Sequence, residues 1–303
     1  MNKEILSGKI FFTLLDSDLK FNGFQFKEGL NIQEKFYPPS NKQLNKILFV
    51  DINNVRRLLN GLICDQNVNT ETMFGVSTTT KFYLAELNFP INHTNFKFIH
   101  LNYEVYCANM ACLGNCYRLD DIKTYENLIS LGSKINASDI IRIADGIKSK
   151  SLLEQTIKKY NITEFKIYLF KTIIKNNYED IIDEVINNIS IEYADIIARL
   201  SCEFSDKIHL IDKLINTYGV NIEIIEEPAV LNQNIELLEY LLSKEFDVQK
   251  AFYYACRSNK PKIIKYLIDK GVDPLSKLSE FNSNPNKFSK YAISSLKKYL
   301  EID

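Results

Sequence analysis

The sequence predicts a mostly α-helical chain: a small α+β module at the N-terminus, then a solenoid of helix–turn–helix units. Three observations carry this. Paired residues, apolar but for Thr156, recur at Leu128-Ile129, Thr156-Ile157, Val185-Ile186, Leu214-Ile215, Leu241-Leu242 and Leu267-Ile268, at spacings of 28, 29, 29, 27 and 26 residues. A steady period of roughly 20 to 50 residues marks a stacked repeat array. Residues 1 to 115 lack that repeat and carry short alternating segments instead. After Pro274 the chain turns polar before one last helical stretch. The expected organisation is therefore an α+β module at 1–115, about six divergent repeats at 116–274, and a capping segment with a helix at 275–303.

In the first module, Phe11–Leu15 reads as a strand by its aromatic and branched content. FNGFQF at Phe21–Phe26 alternates about an Asn22-Gly23 turn signal. Gly29 breaks the next segment, and Pro38–Asn41 is a loop. Ile47–Val50 is a short buried strand. Asp51 or Asn53 opens a helix through Val55, Leu58 and Leu59 to Gly61. Residues 65–80, rich in Asn and Thr, read as a flexible loop. Lys81–Phe89 alternates cleanly and is the best strand, ended by Pro90. Ala108–Leu119 is expected to join the modules.

The helices then follow in order. Asp120 caps Ile122–Ser130, which stops at Gly132; Ser138 or Asp139 opens Ile140–Ile147, and Leu152–Lys159 follows. Phe165–Lys175 pairs with Asp180–Asn187, Tyr193–Glu203 with Ile208–Thr217, and Glu227–Asn232 with Ile235–Ser243. The clearest unit is AFYYACRSNKPKIIKYLIDKGVDP, Ala251–Pro274. Ala251, Phe252, Ala255 and Cys256 lie on one side of its first helix. Pro261 suits a first helical position because its missing N–H would be unpaired there. Ile263, Ile264, Leu267 and Ile268 form a buried stripe. Gly271 can take positive φ and end the helix. The segment SKLSEFNSNPN reads as irregular. Phe288–Leu300 reads as the helix that caps the open apolar end.

YLIDKGVDP, LISLGSKIN and YGVNI resemble the second helix and exit turn of ankyrin repeats. The resemblance runs over about Asp120–Pro274. The usual period is about 33 residues, so these are short versions without the TPLH-type opening. NGFQFKEGLN (Asn22–Asn31), with Phe36 and the strand at Ile47–Asp51, resembles the N-terminal domain of ankyrin proteins from mimivirus-like giant viruses. The Cys and Gly-Gly pair usual before the next strand are missing from SNKQLNKILFV. The resemblance implies a viral, protein-binding scaffold and no catalytic residues.

The chain has 303 residues, 46% of them hydrophobic, and a formal net charge of −1. That is enough for a sizeable core, and no global field points to nucleic acid or membrane. No stretch is apolar enough to span a bilayer, and MNKEILSGKIFF lacks the pattern of a signal peptide. Scattered thiols without a signal point to an intracellular, reducing compartment, which the viral resemblance makes the host cytoplasm or a virion.

Candidate chemistry is sparse. Cys107, Cys112 and Cys116 near His93 and His100 follow C-x4-C-x3-C with no partner pair, unlike the paired spacing of a zinc site. A Cys–His nucleophile is conceivable with Cys107 or Cys112, but no local signature supports it. His209 between Ile208 and Leu210 reads as a helix-surface or packing residue. The ten glycines form no phosphate loop. No catalytic, metal or cofactor residue is therefore expected, and no cofactor.

Charge is more informative. Ile222–Asp247 holds seven acids against Lys244 alone, whereas Lys250–Lys298 holds eleven Lys and Arg against Asp269, Asp273 and Glu280. Either neighbouring repeats attract each other and the basic side is solvated, or the basic end docks an acidic partner, with nucleic acid as one such partner. Tyr253, Tyr254 and Arg257 lie opposite Ala251 and Ala255. With Lys260, Lys262 and Lys265 they are the expected partner contacts. The function expected is a non-enzymatic protein–protein scaffold or adaptor. The alternatives are an enzyme or metal module at 1–115 targeted by the repeats, and a structural virion component.

Overall fold

The computed structural model describes residues 3–21, 23–33, 47–61, 82–101, 105–204, 206–244, 246–283 and 290–301. The readings placed on Asn22, Phe36, Pro38–Asn41, residues 65–80, Lys81 and residues 284–289 lie outside them. The chain divides into two compact units, Met1–Thr172 and Ile173–Asp303.

In the first unit, runs of aromatic and aliphatic residues form the strands. β1 (Phe11–Leu15) is buried along its whole length, and so is β5 (Ile47–Asp51). They belong to a seven-stranded sheet with β4 (Leu30–Ile32), β6 (Tyr83–Asn88), β7 (Phe98–His100), β8 (Val105–Ala108) and β9 (Met110–Arg118). The order is β4-β9-β6-β1-β5-β8-β7, with every neighbour antiparallel. Phe11 meets Phe49 edge-on at 5.3 Å, and Phe49 stacks on Tyr106 at 5.4 Å, so large side chains lock the central register. β2 (Lys20–Phe21) pairs antiparallel with β3 (Phe24–Gln25), Phe21 opposite Phe24, and Gly23 takes φ 76°.

The segment expected to join the modules, Ala108–Leu119, is instead mostly β9, the longest strand among the described residues. Its pattern is hidden from the sequence by Gly114 and small residues. A Cβ on Gly114 would stand 3.0 Å from the Asn88 side chain and 3.1 Å from that of Glu86. Gly114 therefore allows a close approach beside the register shift between Ala85 and Leu87.

α1 (Val55–Gly61) follows a short 3-10 turn at Ile52–Asn54, where the Asp51 carboxylate accepts from the Asn54 N–H at 3.2 Å. α1 packs on β1 and β5 and also on α3 (Ala137–Gly146). Asp139, at the third position of α3, is 2% exposed. Its carboxylate accepts from the Asn136 backbone N–H at 3.0 Å while the Asn136 side chain accepts from the Asp139 N–H at 3.1 Å. This is a reciprocal cap. The same carboxylate lies 2.9 Å from Arg56 Nε of α1. The cap is Asn136, ahead of both residues expected from sequence, Ser138 and Asp139. Likewise Asp121 caps α2 (Ile122–Ser130), because Asp120 is held by the Arg118 guanidinium at 2.7 and 2.9 Å. α2, α3 and α4 (Lys150–Lys159) thus share a unit with the sheet.

α5 (Lys166–Lys175) contains the boundary between the units. The second unit holds α6 (Glu179–Asn188), α7 (Tyr193–Ser201), α8 (Ile208–Tyr218), α9 (Glu223–Leu231), α10 (Ile235–Ser243), α11 (Val248–Arg257), α12 (Pro261–Asp269), α13 (Pro274–Ser283) and α14 (Lys290–Tyr299). The first helices of successive pairs, α7, α9 and α11, stack side by side. Ala229, Ala255, Cys202 and Cys256 are fully buried at these seams, small enough to let the backbones approach.

The turns are stereotyped. Between the helices of a pair, Lys148, Asn177, Gln233 and Asn259 take φ of 51°, 58°, 55° and 51°. The next N–H then reaches back five residues, as in Lys260 to the Ala255 carbonyl at 2.9 Å. After the second helix, Gly132, Gly219 and Gly271 sit at φ 98°, 69° and 99°.

Two helical readings need correction. α9 begins at Glu223, four residues before the expected Glu227 start, and carries Pro228 inside it. Buried Ile225, Ala229 and Val230 hold the helix despite the N–H that Pro lacks. The segment read as irregular, SKLSEFNSNPN, is largely α13. Asp273 accepts from the Leu275 N–H at 3.0 Å, and Leu278 and Phe281 are buried on one side. α14 packs along α11 and against α13.

Candidate partner-binding surface

The six expected contact residues lie on α11, on α12 and in the turn between them. They do not form one open face. The Tyr253 ring meets buried Phe281 of α13 edge-on at 5.9 Å. The Arg257 guanidinium lies 5.8 Å from the Tyr253 ring and 5.3 Å from that of Tyr254. It is ion-paired with Glu227 of α9. Lys250 is paired with Glu226, a residue only 5% exposed. That hydrogen bond holds the Lys250 ammonium above its usual range. The free face expected for Tyr253, Tyr254 and Arg257 is thus half-covered, because α13 supplies Phe281 and α9 supplies the acids. Part of the acidic–basic contrast is spent between neighbouring repeats. Lys260 is half-buried, while Lys262 and Lys265 stand exposed on α12.

Near the same turn is a shallow hollow of about 400 Å³. Arg257 and Lys298 line it with hydroxyls from Ser258, Ser294 and Ser295, and no carboxylate lies in its wall.

Sequence reasoning missed a second feature. In the second unit each later second helix gives a tyrosine and a lysine to a carboxylate on the one before. Asp183 of α6 accepts from Tyr218 at 2.9 Å and from Lys213 at 2.8 Å, both on α8. Asp212 of α8 accepts from Tyr240 of α10 at 2.6 Å, with Lys244 3.9 Å away. Glu239 of α10 accepts from Tyr266 of α12 at 3.0 Å, with Lys270 at 3.6 Å. In the first unit Lys159 of α4 pairs with Glu126 of α2. Burial and the bond to Glu239 push the Tyr266 hydroxyl up to about 12. Burial and Asp212 likewise raise Tyr240, and the Tyr240 hydroxyl in turn holds the Asp212 carboxyl down. The signal was readable. The acids stand two residues before the paired residues, at Glu126, Glu154, Asp183, Asp212 and Glu239.

The other candidates are dispersed. His100 lies opposite Tyr106 across β7 and β8, with rings 4.9 Å apart, whereas Cys107 lies opposite Ile99. Successive strand residues point to opposite faces, so His100 and Cys107 do not converge. Cys112 and Cys116 sit along β9. Burial and then Glu86 raise the Cys116 thiol, which opposes a thiolate. His209 is a surface residue, 85% exposed, 3.9 Å from Glu179. Among the described residues, no group of three or more His, Cys, Asp or Glu side chains is arranged to hold a metal ion.

A repeated helix pair, tight turns at a fixed offset and seams of Ala and Cys are the geometry on which a comparison with known proteins bears. Residues 249–276 match the ankyrin-repeat family. They cover α11, α12 and the turns about them. Two curated relatives come from Acanthamoeba polyphaga mimivirus. R868, named as an ankyrin repeat protein, is 27% identical over 143 residues, 46% of this chain and 62% of that one. The uncharacterised protein R869 is 26% identical over 137 residues, 44% of this chain and 86% of that one. The chain therefore spans less than two thirds of R868. No solved structure matches significantly. The strand-rich region followed by a helical array is consistent with ankyrin-like repeats. Among the described residues no helix is long and apolar enough to cross a membrane.

Proposed function

We propose that the chain is a non-enzymatic scaffold or adaptor. Its helical repeats hold a protein partner, in a viral setting, inside the host cell or in the virion. The observation that carries this is the ankyrin repeat at 249–276, set among helix pairs that repeat its turn geometry. Units of this kind contact only their neighbours, which leaves their outer surfaces for other molecules. Lys262 and Lys265, exposed on α12, are the leading contacts, with Lys260 beside them. Tyr253, Tyr254 and Arg257 form a second, half-covered group whose rings and guanidinium are already ordered, which lowers the entropy lost on binding. The positive charges favour encounter with an acidic protein and make it salt-sensitive.

The test is affinity capture from host-cell lysate with the full chain, followed by reconstitution with the purified captured protein. A specific, stoichiometric partner weakened by Lys262→Glu with Lys265→Glu is the expected result. No partner above a tag-only control would overturn the scaffold reading.

A further inference from the structure

The ladder of carboxylates has an end, and the end has the opposite sign. The same position, two residues before each paired site, is Glu126, Glu154, Asp183, Asp212, Glu239 and then Lys265. The local frames match residue for residue: Ile181-Ile182-Asp183, Leu210-Ile211-Asp212, Leu237-Leu238-Glu239 and Ile263-Ile264-Lys265. In each of these frames the two preceding apolar residues are buried, so the third is held in the same direction on its helix. Asp183, Asp212 and Glu239 each receive a tyrosine and a lysine from the following second helix. Lys265 is exposed, and so is Lys262 one turn before it. Asp269, one turn beyond, is the acid on that side of α12. Tyr266 and Lys270 are turned back to Glu239.

We propose that the outer face of α12 docks an acidic helix of a partner protein, with carboxylates at i and i+3 or i+4 facing Lys262 and Lys265. This rests on the scaffold reading and names the partner's chemistry. A helix lying where the next repeat's second helix would lie meets a cation where α8, α10 and α12 meet Asp183, Asp212 and Glu239. Tyrosine and lysine, which suit Asp183, Asp212 and Glu239, do not suit Lys265; carboxylates do. Residues three or four apart share a helix face, so the spacing of Lys262 and Lys265 selects acids at the same interval. The inverted charge also disfavours addition of another acid-accepting repeat, including one from a second copy of this chain.

The probe is a fluorescein-labelled, 20-residue alanine-based helical peptide with glutamates on one face. Its controls are the same composition with the glutamates spread around the helix, and a single-stranded oligothymidine of matched charge. Binding to the full chain is read by fluorescence anisotropy at low and physiological salt. The one-face peptide should bind at least ten-fold tighter than the spread peptide. Lys262→Glu with Lys265→Glu should weaken it at least ten-fold, and Lys158→Glu, on an exposed site of α4, should leave it unchanged. Circular dichroism and melting should match the parent, because Lys265 bears no rung. Equal binding of both peptides, equal binding of the oligothymidine, an unaffected double variant, or occupation of the face by self-association in sedimentation would each overturn the proposal. A purified lysate partner still held by the double variant would move the docking face elsewhere and leave the scaffold reading standing.

Discussion

The sheet of the first unit and the helix pairs of the second solve the same burial problem with different sequence ranges. In the sheet, β1 lies between β5 and β6, and Phe11 aligns with Asp51 on one side and Leu87 on the other. Its partners are tens of residues away, and none of its neighbours can be removed without exposing it. In the helical unit each pair meets the next about one repeat away, and the same contacts recur: Tyr240 with Asp212, then Tyr266 with Glu239. The lesson is about how damage spreads. A sheet ordered by distant pairings loses its cooperativity as a whole, whereas a stack of near neighbours loses it locally.

The largest expected effects test that contrast. Phe12, fully buried in β1, should cost about 3 to 5 kcal/mol when replaced by Ala, and Leu241→Ala or Leu267→Ala about 2 to 5 kcal/mol each. Amide exchange should then show loss of protection across all seven strands for the first, and near α10–α12 only for the other two. Leucine variants that melt like the parent would refute the repeat assignment.

A smaller effect probes the junction inside the first unit. Asp139→Asn keeps the cap but removes the ion pair with Arg56. Loss of the ion pair at a buried carboxylate sets an expected drop of about 1 to 3 kcal/mol, measurable by denaturant titration. A drop confined to the helices, with the sheet unaffected, would mean that α1 does not couple the two.

The ladder makes an alkaline prediction. The ordinary tyrosine value is 10.0 and Tyr266 is held at about 12 in the fold. A raised folded value contributes stability that is fully present below pH 10 and is lost as pH climbs through about 12. Tyr240→Phe with Tyr266→Phe should therefore flatten the decline in melting temperature over that window. An unchanged alkaline slope would show that these hydroxyls are not bound in solution. The carboxylates are about half-exposed, so water screens each rung and its contribution to stability is small.

The smallest effect concerns the pair turns. Gln233 takes φ 55°, where a side chain is strained. Gln233→Gly relieves that strain but frees the unfolded chain, so a net gain of about 0.5 kcal/mol is expected. A loss by calorimetry would mean that the Gln side chain matters more than its backbone.

The sequence by itself determined the helical period, the exit turns at Gly132, Gly219 and Gly271, the buried faces of α11 and α12, and strands β1, β5 and β6. All of these depend on residues within one or two turns of each other, so pattern alone reveals them. It did not determine β9, because Gly114 and the small residues near it break the alternation for the sake of a distant neighbour, Glu86. Nor did it reveal α13, whose stripe of Leu278 and Phe281 is too short to stand out among polar residues. The fate of Tyr253, Tyr254 and Arg257 was decided by tertiary structure alone. Their spacing makes one helix face, but whether that face is open depends on Glu227 and Phe281, thirty and twenty-eight residues away from Arg257 and Tyr253. Burial by a distant segment leaves no local trace in sequence, because a half-buried ring and an exposed one have the same neighbours along the chain.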